Sequence, residues 1–170
     1  MSGGVLWITG LPGVGKTVLA DAVAARLTQG GARIERLDGD AFRAALGVAG
    51  SAYDRDSRLA LAQRYVAHAH ERACSGVLLV ASVVALFSAV HEQLRQLPVP
   101  YLEVWLRAPE SLRRSRAGDH AVPATPRIGV DIEAQFPQFA HLVLDNDDDP
   151  ATLEHLATRI ETAWRASHAV

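Results

Sequence analysis

A chain of 170 residues is long enough for one buried core, so a single domain over residues 1–170 is expected. Apolar residues make up 49% of it and the formal charge is only -2, which excludes a disordered chain and the basic face of a nucleic-acid binder. The lone Cys74 excludes an internal disulfide, the first residues lack a secretion signal's basic start, and no stretch approaches the roughly 20 apolar residues that span a bilayer, so the cytoplasm is the expected compartment, with no membrane partner.

The first apolar run, "GVLWI", breaks at Gly10 and is expected to be a buried parallel strand ending in a loop. From Lys16 to Leu27, the residues Val18, Leu19, Ala22, Val23 and Leu27 recur at helical spacing. A second strand is expected over Ile34 to Leu37, closing in the acids of "LDGD". A long helix follows in "DRDSRLALAQRYVAHAHERACSG", acidic at its start and with Gly76 just beyond its end. "VLLVAS" is a third buried strand, and a helix through "SAVHEQLRQL" leads to a strand in "YLEVWLR". A short helix in "APESLRRSR", a final strand in "HLVLDN" and a helix in "DPATLEHLATRIETAW" complete the order. Such alternation predicts a mostly parallel five-stranded sheet flanked by helices, a three-layer α/β fold. The aperiodic "GDHAVPATPRIGV" reads as a loop, and its length makes it lid-like, over about residues 117–130.

Within the first strand-loop-helix unit, Gly10, Gly15, Lys16 and Thr17 match GxxxxGK[ST]. That spacing lets backbone N–H groups curl around phosphate oxygens, a lysine reach the β- and γ-phosphates and a hydroxyl hold Mg²⁺, while the helix adds its positive N-terminal dipole. The expected ATP-binding residues are therefore Gly10, Leu11, Pro12, Gly13, Val14, Gly15, Lys16, Thr17 and Val18, and the expected class is the P-loop NTPase fold. Lys16 is the only lysine beside sixteen arginines. "VLLVAS" ends in Ser82, where many motor and switch ATPases carry a Walker B aspartate, and the acids instead close the second strand. This placement favours a small-molecule kinase.

Five motifs in order then resemble the adenylyl-sulfate kinase (APS kinase) family: "GLPGVGKT" for that family's "GLSGAGKT", "LDGDAFR" for "LDGDNIR", the pair Asp54 and Arg55, "EVWLRAPESLR" for "EVFVDTPLEVC", and "IGVD…HLVLD" for "TGID…ELVLD". The resemblance, over roughly Val5 to Asn146, implies transfer of the ATP γ-phosphoryl to a hydroxyl of a small anionic nucleotide, with the 3′-hydroxyl of APS the leading acceptor. It implies ATP and Mg²⁺ as cofactors and a homodimer as the assembly. By it, Lys16 and Asp38 are the catalytic pair, with Asp38 orienting the acceptor hydroxyl or holding Mg²⁺ through water beside Thr17. Asp40, Arg43 and Arg55 would bind the acceptor, joined by Arg58 and by Arg127 in the lid, and Arg116 would lie beside the ATP adenine. Arginine forks suit multi-oxygen anions. The residues alone leave other readings open: Asp38 or Asp40 as a helix N-cap, Arg43 as an exposed helix residue, and Arg55 as the partner of Asp54 or Asp56.

The chain also departs from that pattern. Gly50 falls where the family has an aromatic that stacks on the acceptor's adenine, and Arg58 where it has an asparagine. Ala85 and Ser88 replace the serine and arginine of "ISPYR", Ala117 follows Arg116, and the lysine-rich lid is absent. "IGVDIE" resembles the style of the cytidine diphosphoramidate kinases of capsule pathways. A kinase for a sugar acid or alcohol, and a nucleotide-binding module without transfer, are the remaining alternatives. No metal site beyond nucleotide-bound Mg²⁺ is expected, since His68 and His70 point to different sides of a helix and "DNDDDP" lacks the spacing of a calcium loop.

Overall fold

The first strand, β1 (Gly4–Thr9), is buried along its whole length, as is β3 (Leu78–Val83), because each packs helices against both faces. The computed structural model describes residues 3–47, 54–117 and 126–167. In chain order the elements continue with α1 (Lys16–Gln29), β2 (Ile34–Asp38), α2 (Gly39–Ala45), α3 (Arg55–Cys74), α4 (Ser88–Arg95), β4 (Tyr101–Arg107), α5 (Glu110–Ala117), β5 (Leu142–Asp145) and α6 (Pro150–Ser167); β3 lies between α3 and α4. The strands form one parallel five-stranded sheet in the order β2-β3-β1-β4-β5.

Alternation along β1 divides the core. Val5 and Trp7 join Tyr65 and Ala69 of α3 and Val90 and Leu94 of α4 on one face. Leu6 and Ile8 join Leu19 and Val23 of α1 and Ile160 and Trp164 of α6 on the other. The expected strands and helices are present, β4 with the same ends and the others with ends shifted by at most three residues. Outside that order stands α2, a seven-residue helix with no buried residue, which only the capping alternative at Asp38 and the helical alternative at Arg43 allow for. Adjacent strands β1 and β3 send their chains to helices on opposite faces, which opens a crevice at their C-terminal ends. The P-loop sequence lies there. Among the described residues no helix is long and apolar enough to cross a membrane.

A buried ionisable pair ties α4 to β4. His91 is 2% exposed and Glu103 0%, with Nδ1 2.6 Å from Oε1, while His91 Nε2 lies 3.0 Å from the Gln135 carbonyl. A carbonyl only accepts, so His91 must donate from Nε2; the Nδ1–Oε1 bond then requires a second proton, on the ring or on the carboxyl. Replacing His91 by leucine strands Glu103 in the core. Urea denaturation is expected to show a loss of about 3–5 kcal/mol, much of it recovered when Glu103 is also made leucine; a loss below 1 kcal/mol would contradict the pairing.

Candidate active site

The loop between β1 and α1 is shaped by glycines that adopt left-handed backbone. Gly13 has φ 80° and Gly15 φ 94°, and a Cβ on Gly15 would lie 2.6 Å from Asn146 Nδ2, so no side chain fits. Gly15 is the N-cap of α1, it has no side chain to offer the free N–H groups, and the first turn of α1 holds no acid. These unsatisfied donors and the helix dipole favour an anion in the loop. Lys16, 9% exposed, donates from Nζ to the Leu11 carbonyl at 2.9 Å. Burial lowers its pKa to about 8, and the nearby Asp38 carboxylate pulls in the opposite direction. A buried cation with one carbonyl partner gains from an incoming phosphate. The loop therefore fits the phosphates of a nucleotide.

Asp38, the last residue of β2, uses its two oxygens differently. Oδ1 accepts from the N–H groups of Asp40 at 3.0 Å and Ala41 at 3.2 Å, capping α2. Oδ2 accepts from Thr17 Oγ1 at 3.1 Å and Ser82 Oγ at 3.3 Å. Capping and site placement are thus one arrangement: the cap holds the carboxylate so that Oδ2 faces the first turn of α1. A hydroxyl and a carboxylate so joined beside a phosphate loop suit Mg²⁺, which takes most of its ligands from phosphate and water. No cluster of three or more His, Cys, Asp or Glu side chains that could hold a metal by itself occurs among the described residues.

Beside the loop, a cleft of about 180 Å³ is lined by Gly15, Val18, Arg116, Asn146, Pro150 and Leu153, among others. Arg116 donates to the Gly13 carbonyl at 3.1 Å and pairs with Asp148. Asn146, 5% exposed at the end of β5, donates from Nδ2 to the Val14 carbonyl at 2.9 Å and braces the loop. Neither Asn146 nor Asp148 is singled out by sequence. The signal available was their position directly after a strand end, where P-loop crevices gather side chains.

The residues expected on the acceptor side lie on α2 and the first turn of α3. Arg43 pairs with Asp40, and Arg55 lies 3.5 Å from Asp56 with its guanidinium 5.9 Å from the Phe87 ring centroid. Arg58 Nη2 donates to the Pro126 carbonyl at 2.6 Å, tying α3 to the segment before Arg127. Arg127 is paired with Asp131 at 3.6 Å. The buried Tyr65, whose hydroxyl donates to the Gly39 carbonyl at 3.1 Å, senses the charges of Arg43, Asp38 and Arg58, with burial the larger influence in raising its pKa. Those three side chains therefore share one neighbourhood. Of the expected lid, residues 118–125 and the aromatic-replacing Gly50 lie outside the described residues. The lid's end is held to the loop: Gly129, at φ 88°, packs so closely on Leu11 that a Cβ would sit 2.4 Å from Leu11 Cδ2.

A parallel sheet that delivers a glycine loop, a buried lysine and a strand-end aspartate to one crevice defines a P-loop phosphotransferase. The chain matches the adenylylsulphate kinase family over residues 2–121 and belongs to that family. A probable adenylyl-sulfate kinase of Aeropyrum pernix is 31% identical over 161 residues, covering 89% of this chain and 86% of that one. A cytidine diphosphoramidate kinase of Campylobacter jejuni is 29% identical over 148 residues, 84% of this chain and 85% of that protein. The structure of the Mycobacterium tuberculosis APS kinase in complex with AMPPNP and APS superposes with a TM-score of 0.81 at 24% identity, over 94% of this chain and 95% of that chain, a likeness of fold.

Proposed function

We propose that the protein is an ATP- and Mg²⁺-dependent kinase acting in the cytoplasm on a hydroxyl of a small anionic nucleotide, with the 3′-hydroxyl of APS the leading acceptor. The observation that carries this reading is the bond from Thr17 Oγ1 to Asp38 Oδ2 beside the buried Lys16. In it, the amides of residues 13–17 and the Lys16 ammonium hold the β- and γ-phosphates, and Thr17 with Asp38 holds the metal. Bound Mg²⁺ would neutralise charge on the phosphates during transfer. Asp38 Oδ2, held by the Thr17 hydroxyl, would help to hold the metal and to orient the acceptor hydroxyl. Arg116 and the cleft beside it receive the donor's adenine. Asp40, Arg43, Arg55 and Arg58 receive the acceptor, and Arg127 approaches from the lid.

A cytidine diphosphoramidate acceptor is the second reading, supported by the relative of that name and by "IGVDIE". An assay coupling ADP release to oxidation of reduced nicotinamide, run with each acceptor in turn, separates the two; no acceptor-dependent ADP from either would leave a kinase for a sugar acid or alcohol and a nucleotide-binding module. For Arg43→Ala, the acceptor KM is expected to rise roughly 10-fold or more while the ATP KM moves less than twofold, since charge-assisted bonds to an anion contribute about 1.5–3 kcal/mol. An unchanged acceptor KM would remove Arg43 from the site.

A further inference from the structure

The register of β2 against β3 places Asp38 opposite Ser82 and Arg36 opposite Val80, so Arg36, Asp38 and Ser82 share the sheet face that α1 covers. Ser82 is 3% exposed and stands at the strand end next to β1. Its hydroxyl lies 3.3 Å from Asp38 Oδ2 and 3.4 Å from Arg36 Nη2. A guanidinium only donates, and a serine hydroxyl has one proton, so Arg36 occupies a lone pair of Ser82 and the proton is left for Asp38. Arg36 is itself fixed by the Val80 carbonyl at 2.8 Å and by Asp21 of α1 at 2.9 Å, and it reaches the Thr17 carbonyl at 3.4 Å. Asp21 balances its charge. Arg36 therefore supplies direction to the hydroxyl while the negative charge of Asp38 stays available.

We propose that Ser82 and Arg36 are positioning residues: they hold Asp38 Oδ2 toward Thr17, so that the carboxylate of β2 takes the place usually filled by an acid at the end of β3. Oδ1 is committed to the cap of α2, and Oδ2 has two side-chain donors, Thr17 and Ser82. Thr17 gives its one proton to Oδ2 and keeps its lone pairs, and Ser82 adds a second donor from the neighbouring strand that limits how Oδ2 can turn. The aspartate is held from both neighbouring elements, α1 and β3. The inference rests on the kinase reading for its kinetic consequence, but its binding consequence does not.

The test uses Ser82→Ala, Ser82→Thr and Arg36→Met with two readouts. Titration calorimetry with a non-hydrolysable ATP analogue, with and without Mg²⁺, is expected to show unchanged metal-free affinity in Ser82→Ala and a Mg²⁺ half-saturation raised roughly 10-fold, the scale of losing a residue that orients a metal ligand. Turnover with APS is expected to fall about 10-fold in kcat with the ATP KM within about twofold. Ser82→Thr keeps the hydroxyl and restores both, and Arg36→Met moves both in the direction of Ser82→Ala. Unaltered Mg²⁺ dependence in Ser82→Ala, or equal impairment in the alanine and threonine variants, would overturn the proposal. If the wild-type protein turns over no acceptor, the kinase reading fails while the calorimetry still decides the positioning role.

Discussion

Lys16→Met is expected to lower acceptor-dependent ADP formation by about 100-fold or more and, at neutral pH, to make the nucleotide-free protein more stable. The loss follows from removing the one cation inside the loop, where preorganised charge acts in a poorly solvated site. The gain follows from the pKa. Lys16 has a folded-state pKa of about 8 against 10.5 when exposed, because burial disfavours its charged form. The unfolded chain thus binds more protons between pH 8 and 10.5, and the sign is that wild-type stability rises as pH increases through this window. Below pH 8 the cost of the buried charge is fully present, on the order of 3 kcal/mol, and methionine relieves it. Acceptor-dependent ADP formation checks the loss, and urea unfolding at pH 7 and pH 10, with and without ATP, checks the gain. Nucleotide should stabilise the wild type and hardly affect the variant; a variant less stable than wild type at pH 7 would show that the lysine supports the fold.

Asp38→Asn is expected to lower kcat by about 100-fold or more with little change in stability. Asparagine retains an oxygen to cap α2, and it is as good an N-cap as aspartate. What it loses is the negative charge at the position of Oδ2, where, with its one oxygen kept on the cap, it presents an amide nitrogen to Thr17 and Ser82. Asp38→Ala should lose the cap as well, a further cost to stability of about 1 kcal/mol. Measuring kcat together with urea unfolding for the two variants separates the cap from the chemistry. Were Asp38→Asn to keep kcat within a few-fold of wild type, the aspartate would be a cap alone.

The capping alternative that the residues left open at Asp38 does not exclude a contact with the phosphate loop. Asp38 is an N-cap and also faces Thr17, while Arg43 pairs with Asp40, and Arg55 lies between Asp56 and the Phe87 ring. One aspartate at the start of α2 can cap the helix and face the loop at once, because its two oxygens point to different partners. The pairing His91–Glu103 had no sequence signal at all. A histidine in an eight-residue helix and a glutamate in a strand look solvent-facing until the packing covers both.

What the amino-acid order determined by itself is the phosphate loop and the run of parallel strands. Residues 10–17 are contiguous, and their shape follows from local rules: glycine where the backbone is left-handed, a helix start without an acid, and an apolar strand before it. What only the tertiary structure decided is which groups face that loop. Asn146 reaches Val14 across 132 positions, Ser82 reaches Asp38 across 44, and Arg36 meets Ser82 only because β3 is inserted between β1 and β2 in one register. A slip of one residue would turn each of these side chains to the opposite face. Strand order and register are properties of the packed sheet, set by burial on both of its faces, and no local stretch of sequence encodes them.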